Sequence, residues 1–140
     1  MKFLFALIAI LAVTGSVLGR KLNRCSLAKE LHSLGVPKSE LPQWTCLAEH
    51  ESSYRTHIIG PPNTDGSQDY GIFQINSKYW CRSPKVFSYN GCHVDCNVLL
   101  GDNLKPALDC ARLVKGKQGW KAWAAWKFCN GRLPSIDNCF

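Results

Sequence analysis

Beyond its first nineteen residues the chain has no apolar run approaching the roughly 20 residues a bilayer-spanning helix needs. It has no Asn-x-Ser/Thr triplet, so N-glycosylation is not expected. It has no internal repeat, low-complexity tract or linker, and 140 residues then suggest one domain. Acidic residues are scarce: 10 Asp and Glu stand against 17 Lys and Arg, for a formal net charge of +7. Such a balance draws a small protein to anionic surfaces through its whole field. Nucleic acid, anionic lipid and bacterial envelope polymers all qualify, and charge does not choose among them.

What is present begins with an export pattern. Met1-Lys2 is basic, Phe3 to Val13 is almost wholly apolar, and Gly15-Ser16-Val17-Leu18-Gly19 is small or mildly apolar. That order predicts a secretory signal peptide over 1–19, cleavage after Gly19, and an extracellular domain over 20–140. A membrane anchor is the competing reading, and the apolar core is short for one. All eight cysteines follow the signal: Cys25, Cys46, Cys81, Cys92, Cys96, Cys110, Cys129 and Cys139. An even count in a short exported chain reads as four disulfides, with on the order of a hundred pairings left open by counting. A zinc reading would rest on Cys92, His93 and Cys96, but no second ligand pair has zinc-like spacing. No metal and no cofactor are expected.

Three regions emerge along the chain. Leu27, Ala28, Leu31 and Leu34 recur at helical spacing, and Gly35 with Pro37 ends the run. A second helix is predicted over Pro42 to Ser52, with Trp44, Leu47 and Ala48 as its apolar stripe. From Tyr54 to Gly91 the character changes. Ile58-Ile59 is β-branched, Asn63-Thr64-Asp65-Gly66 signals a hairpin turn, and Tyr70 to Asn76 reads as a strand. The third region is helical again. Asn103 is a candidate N-cap, Leu104, Ala107, Leu108, Ala111 and Val114 form a stripe, and Gly116 is the expected stop. Trp120, Trp123 and Trp126 then recur every third residue, suggesting another short helix. Helices, a small antiparallel sheet, then helices argue an α+β fold of two lobes, with a cleft between them as the natural ligand site.

Two carboxylates stand out by their surroundings. Glu51 follows Trp44, Leu47 and Ala48 on one helix face, whereas Glu49 falls away from it. A carboxylate facing apolar groups is penalised for ionising, so it keeps its proton nearer neutral pH, as a general acid must. The bland alternative is a helix end where Glu51 reaches water. Asp69 lies among polar residues, with Asn63 and Asn76 as further possible donors, and such partners favour a charged carboxylate. Its bland alternative is a cap at a turn or strand end. One carboxyl kept protonated beside one kept charged is the arrangement glycoside hydrolysis uses. Flat aromatics at Tyr79, Trp80, Trp120 and Trp123 suit the apolar faces of sugar rings, although Trp at helical spacing is more often core.

The run Asn63 to Ser77 (Asn-Thr-Asp-Gly-Ser-Gln-Asp-Tyr-Gly-Ile-Phe-Gln-Ile-Asn-Ser) resembles the signature of chicken-type (c-type) lysozymes, glycoside hydrolase family 22. Cys-Leu-Ala-Glu-His-Glu-Ser at Cys46 to Ser52, Tyr-Trp-Cys at Tyr79 to Cys81 and Ala-Trp-Ala-Ala-Trp at Ala122 to Trp126 match as well. The likeness covers the whole mature chain and all eight cysteines, and His50 to Arg55 resembles the insect branch, flies in particular. The resemblance implies a lysozyme-like domain with disulfides Cys25–Cys139, Cys46–Cys129, Cys81–Cys96 and Cys92–Cys110. It implies Glu51 as general acid and Asp69 as nucleophile or electrostatic stabiliser, and Trp123 packing near the acid. Asn63, Gln74, Asn76, Tyr79, Trp80, the backbone of Ala122, and Trp123 match substrate-cleft positions. The implied substrate is bacterial peptidoglycan, with chitin oligosaccharides as a minor possibility, acted on by a monomer that needs no nucleic acid and no membrane anchor.

There are departures. Tyr79 stands where many vertebrate members have Trp, Pro61-Pro62 lengthens the segment before the hairpin, and Lys115 to Gly119 lacks an acidic residue used for a distal sugar. Ala107-Leu108 replaces two aspartates of the calcium-binding relatives, so no calcium is predicted. A non-catalytic lysozyme-fold binding protein is the alternative function, disfavoured because both carboxylates are present. Killing by membrane damage is a third reading, and no strongly basic amphipathic segment supports it.

Overall fold

The computed structural model describes residues 19–140, so the predicted signal peptide, save Gly19, lies outside the described residues. The first helix, α1, spans Arg24–Ser33. It starts at a reciprocal cap: the Ser26 N–H donates to Asn23 Oδ1 at 2.8 Å, and the Asn23 N–H donates back to Ser26 Oγ at 2.9 Å. It stops where Gly35 turns to φ +100°, the left-handed region that glycine enters without steric cost. Leu27, Ala28 and Leu31 are buried, and Leu34 packs partly against the same core.

Helix α2 spans Leu41–Ser52, with Pro42 in its first turn, where a missing N–H costs nothing. Trp44, Leu47 and Ala48 are fully buried, as the stripe predicts, and Glu49 is exposed. The helix ends at left-handed Ser53. Just before that end, the buried Ser52 hydroxyl lies 2.9 Å from Ala48 O and 2.8 Å from Ile72 O. The last turn of α2 is thereby tied to the sheet lobe.

The sheet differs from expectation. Tyr70 to Asn76 is not one strand but a tight hairpin: β1 (Asp69–Tyr70) pairs antiparallel with β2 (Ile75–Asn76), in the register Asp69↔Asn76 and Tyr70↔Ile75. Two features break the run. Gly71 sits at φ +79°, and a Cβ there would fall 2.3 Å from Leu99 O. Ile72 and Phe73 are both fully buried, which an alternating strand does not allow. Gln74 closes the turn, its N–H donating to Gly71 O at 3.0 Å. The predicted Asp-Gly turn is present: Gly66 N–H donates to Asn63 O at 2.9 Å with Gly66 at φ +83°. It closes a longer loop in which Gly60 N–H reaches Asp69 O and Ile59 forms an isolated antiparallel bridge with Tyr70 of β1.

Helix α3 spans Lys105–Gln118 and buries Ala107, Leu108, Ala111 and Val114. Asn103 is not the N-cap: Leu104 holds that position without a side-chain cap bond, and Asn103 Oδ1 accepts from Lys105 N–H at 3.0 Å from one residue further out. The expected stop at Gly116 is wrong. The helix runs two residues further and ends at Gly119, which holds the positive φ of +73°. The tryptophan segment is likewise not one helix. Two 3₁₀ turns, Trp120–Ala122 and Ala124–Phe128, are separated by Trp123 in an extended conformation. Three residues per 3₁₀ turn would eclipse all three indoles. The break spares Trp123, which turns into the core, while Trp120 and Trp126 stack at 5.1 Å.

The four disulfides pair as the resemblance implies: Cys25–Cys139, Cys46–Cys129, Cys81–Cys96 and Cys92–Cys110. Each constrains the unfolded chain and stabilises by roughly 2–4 kcal/mol. No helix among the described residues is long and apolar enough to cross a membrane. The tight hairpin yields a test. Gly71→Ala adds a Cβ against Leu99 O at a positive φ, and urea unfolding should show a loss of about 1–3 kcal/mol. A change under about 0.5 kcal/mol would show that the hairpin tolerates a side chain there.

Candidate active site

The two carboxylates reach one cleft from opposite lobes. Glu51 comes from the last turn of α2 and Asp69 from β1, and both line a cavity of about 660 Å³. The seven substrate-cleft positions of the sequence reading line the same cavity: Asn63, Gln74, Asn76, Tyr79, Trp80, Ala122 and Trp123. Ser67, Gln118, the turn residue Asp65 and the stripe residue Val114 also line it, none of which the sequence placed in the cleft.

Glu51 is half-buried, and burial raises its pKa above the ordinary glutamate value. The Ala125 N–H, 3.4 Å from Oε1, works against this by favouring the charged form. The negative charge of Asp69 pushes the value up again, so the two carboxylates sense each other across the cleft. Trp123 lines the same cavity as Glu51, and that wall is built from particular packing. Trp123 is buried, its indole N–H donates to Phe73 O at 2.9 Å, and its ring meets the edge of Trp44 at 5.9 Å. The segment that carries Trp123 also supplies the Ala125 N–H two residues later.

Asp69 has a different environment. Asn76, directly opposite it in the sheet, donates from Nδ2 to Asp69 Oδ1 at 3.0 Å. Asn63 does not reach Asp69 directly, as the sequence reading allowed. Its Nδ2 donates to Ser67 Oγ at 3.1 Å, and Asn76 Nδ2 lies 3.0 Å from that same hydroxyl. Ser67 in turn donates from N–H and hydroxyl to Asp65 Oδ1, and these bonds hold the Asp65 carboxyl below its usual range. Buried Ser67 is therefore the hub that fixes both asparagines. A serine next to an Asp-Gly turn carries no sequence signal of such a role, which arises only when the hairpin brings residues 63 to 76 together.

The remaining positions divide by what they have left to offer. Gln74 spends its amide N–H groups on Ile58 O and Gly71 O, at 3.1 and 3.0 Å, so only its carbonyl oxygen is free for a ligand. Trp80 is partly buried with Gly91 packed on its ring, whereas Tyr79 is 47% exposed. Among the described residues one His/Cys cluster has metal-like spacing: Cys46, His50 and Cys129. Its two cysteines are bonded to each other and unavailable as thiolates.

The C-type lysozyme/alpha-lactalbumin family matches residues 20–139. The chain belongs to that family. Lysozyme 1 of Musca domestica is 59% identical over 141 residues, with 100% of both chains covered. Lysozyme X of Drosophila melanogaster is 55% identical over 141 residues, covering 100% of this chain and 99% of the relative. Among solved structures, recombinant wild-type canine milk lysozyme (apo-type) superposes with a TM-score of 0.74 at 42% identity, over 81% of this chain and 92% of that one. The chain is therefore an enzyme, a glycoside hydrolase of the lysozyme kind, and its similarity is to fly lysozymes in particular.

The raised Glu51 pKa has a consequence for stability. The native state holds this proton more tightly than the unfolded chain, so stability falls as pH rises from the ordinary glutamate range through the raised value. Glu51→Gln has no such proton to lose and keeps an acceptor for Ala125 N–H. Its stability relative to wild type should therefore grow across that window and level off above it, as measured by urea unfolding at a series of pH values. A relative stability that declines with pH would contradict the shift.

Proposed function

We propose that the protein hydrolyses the β-1,4 bond between N-acetylmuramic acid and N-acetylglucosamine in bacterial peptidoglycan, with net retention at the anomeric carbon. Lysozyme is the type case of this two-carboxylate chemistry. The observation that carries the reading is the pairing, in one cleft, of a desolvated Glu51 with an Asp69 held by Asn76.

Ala125 N–H approaches Oε1 of Glu51, which leaves Oε2 to carry the proton. That proton passes to the glycosidic oxygen as the bond to the anomeric carbon breaks. The leaving sugar departs as an alcohol. The Asp69 carboxylate, on the opposite lobe, supports the developing positive charge or bonds to the anomeric carbon. The Glu51 carboxylate then takes a proton from a water molecule, whose oxygen adds to that carbon and releases Asp69. Glu51 ends protonated and Asp69 charged, as they began. Asn63, Gln74, Asn76, Tyr79, Trp80, Ala122 and Trp123 are proposed to hold the glycan, with carbonyl and amide groups meeting the N-acetyl and hydroxyl groups.

Removal of residues 1–19 and secretion fit a substrate that lies outside the producing cell, where four disulfides persist. Antibacterial defence and digestion of bacteria both use this reaction, and the net basic charge suits an anionic bacterial surface. Chitin oligosaccharides share the β-1,4-linked N-acetylglucosamine unit and are proposed as minor substrates of the monomer. Glu51→Gln tests the reading directly. Release of soluble fragments from purified peptidoglycan should fall by about 10²–10⁴-fold while folding is kept. Undiminished release would overturn the hydrolytic reading, and unchanged killing of whole bacteria would point to membrane damage.

A further inference from the structure

At the edge of the cleft stands a ridge of exposed aromatic rings. Tyr79 is 47% exposed, Tyr89 66% and Phe87 74%. The rings are ordered among themselves. Tyr79 and Tyr89 lie parallel within 6° at 6.0 Å between centroids, and Phe87 meets Tyr89 edge-on at 5.1 Å. Exposed rings grouped beside a binding cleft call for an explanation in terms of that cleft. Tyr79 lines the cavity, whereas Tyr89 and Phe87 do not.

The loop bearing Tyr89 is tied to the segment bearing Tyr79. Tyr89 N–H donates to Lys78 O at 2.8 Å and Gly91 N–H to Tyr79 O at 2.8 Å, so the two tyrosines are bracketed by backbone bonds. The Ser88 hydroxyl donates to Cys81 O at 2.7 Å, and Cys81 and Cys92, at the loop's two ends, are both in disulfides. A Cβ at Gly91 would meet the Trp80 ring at 2.8 Å, which shows how closely the loop packs. Lys78 places its ammonium 5.3 Å from the Tyr79 ring centroid. Tyr79 is thus a half-exposed ring flanked by the Lys78 ammonium and by a parallel ring on a braced loop.

We infer that Tyr89 is a positioning residue: it stacks on Tyr79 and fixes the orientation in which that ring meets the glycan. The inference rests on the proposed reading of the cleft as a glycan site. A tyrosine offers a sugar less area than a tryptophan would, and it would swing freely if its ring were unsupported. Stacking on Tyr89 removes that freedom before the substrate arrives, so less ordering is lost on binding. Phe87 supports Tyr89 from the edge. The effect belongs to binding, since Tyr89 and Phe87 do not line the cavity that holds the two carboxylates.

Steady-state kinetics on purified soluble peptidoglycan strands test this with Tyr79→Ala, Tyr89→Ala, Tyr89→Phe and the Tyr79→Ala/Tyr89→Ala double variant. Tyr89→Ala should raise KM about two- to tenfold, the scale of one aromatic pair, with kcat nearly unchanged. Tyr89→Phe should restore wild-type KM, and the double variant should be no worse than Tyr79→Ala alone. The Tyr79 ring-proton NMR shifts of the free protein should also move in Tyr89→Ala and not in Tyr89→Phe. An unchanged KM, a fall in kcat instead, or losses that add in the double variant would overturn the inference. Wild-type protein that releases no fragments would instead sink the glycan reading itself, a failure the Glu51→Gln comparison registers separately.

Discussion

Trp123 is where the two lobes are joined around the acid. Its indole N–H bonds to Phe73 O in the hairpin turn, its ring packs on Trp44 of α2, and its neighbours along the chain bring Ala125 N–H to Glu51. Trp44 in turn meets Phe73 and Trp120 edge-on, at 5.2 and 4.8 Å. Helix, hairpin and tryptophan segment therefore share one aromatic cluster, and Glu51 and Trp123 line the cavity beside it. Glu51 is half-buried there, and that partial loss of water raises its pKa. A mixed environment of this kind needs three chain segments in register. Burial of the aromatic cluster supplies the driving force for that register, and the hydrogen bond at Phe73 fixes its geometry.

The covalent frame serves the same end. A hairpin of two-residue strands is too small to be stable alone, and it is held from several sides. Ser52 links it to α2, Leu99 O lies close over Gly71, Cys81–Cys96 binds the loop lobe to the segment leading into α3, and Cys92–Cys110 binds it to α3 itself. Asp69 is placed by the paired strands and steadied by Asn76 and the Ser67 hub. The acid's position is thus set mainly by packing and its partner's mainly by hydrogen bonds. That difference in environment is what separates their chemical roles in the proposed reaction.

Much of this was legible in the residues, and the exceptions have physical causes. Helical periodicity located α1, α2 and α3, and the apolar stripe placed Glu51 on the same helix face as Trp44, Leu47 and Ala48. The resemblance gave the disulfide pairing that counting left open. Periodicity failed where backbone conformation outweighed it. Gly71 and consecutive burial of Ile72 and Phe73 turned an expected strand into a hairpin, and Gly119, not Gly116, held the positive φ that ends α3. The every-third spacing of Trp120, Trp123 and Trp126 was read as one helix, but burying Trp123 breaks it in two. Ser67 and Tyr89 were invisible for another reason: Ser67 joins Asn63 to Asn76 nine positions on, and Tyr89 meets Tyr79 ten positions back, contacts made by the hairpin and the disulfide-braced loop.

Everything about the proposed acid depends on the free energy of removing Glu51 from water, and that quantity is open to direct measurement. A carbon-13 NMR titration of the Glu51 side-chain carboxyl, in the free protein, reads it at the atom concerned. The structure predicts a midpoint clearly above the ordinary glutamate value of 4.5, falling toward it when Trp123→Ala opens the wall to water. A midpoint at or below the ordinary value in the intact protein would contradict the account.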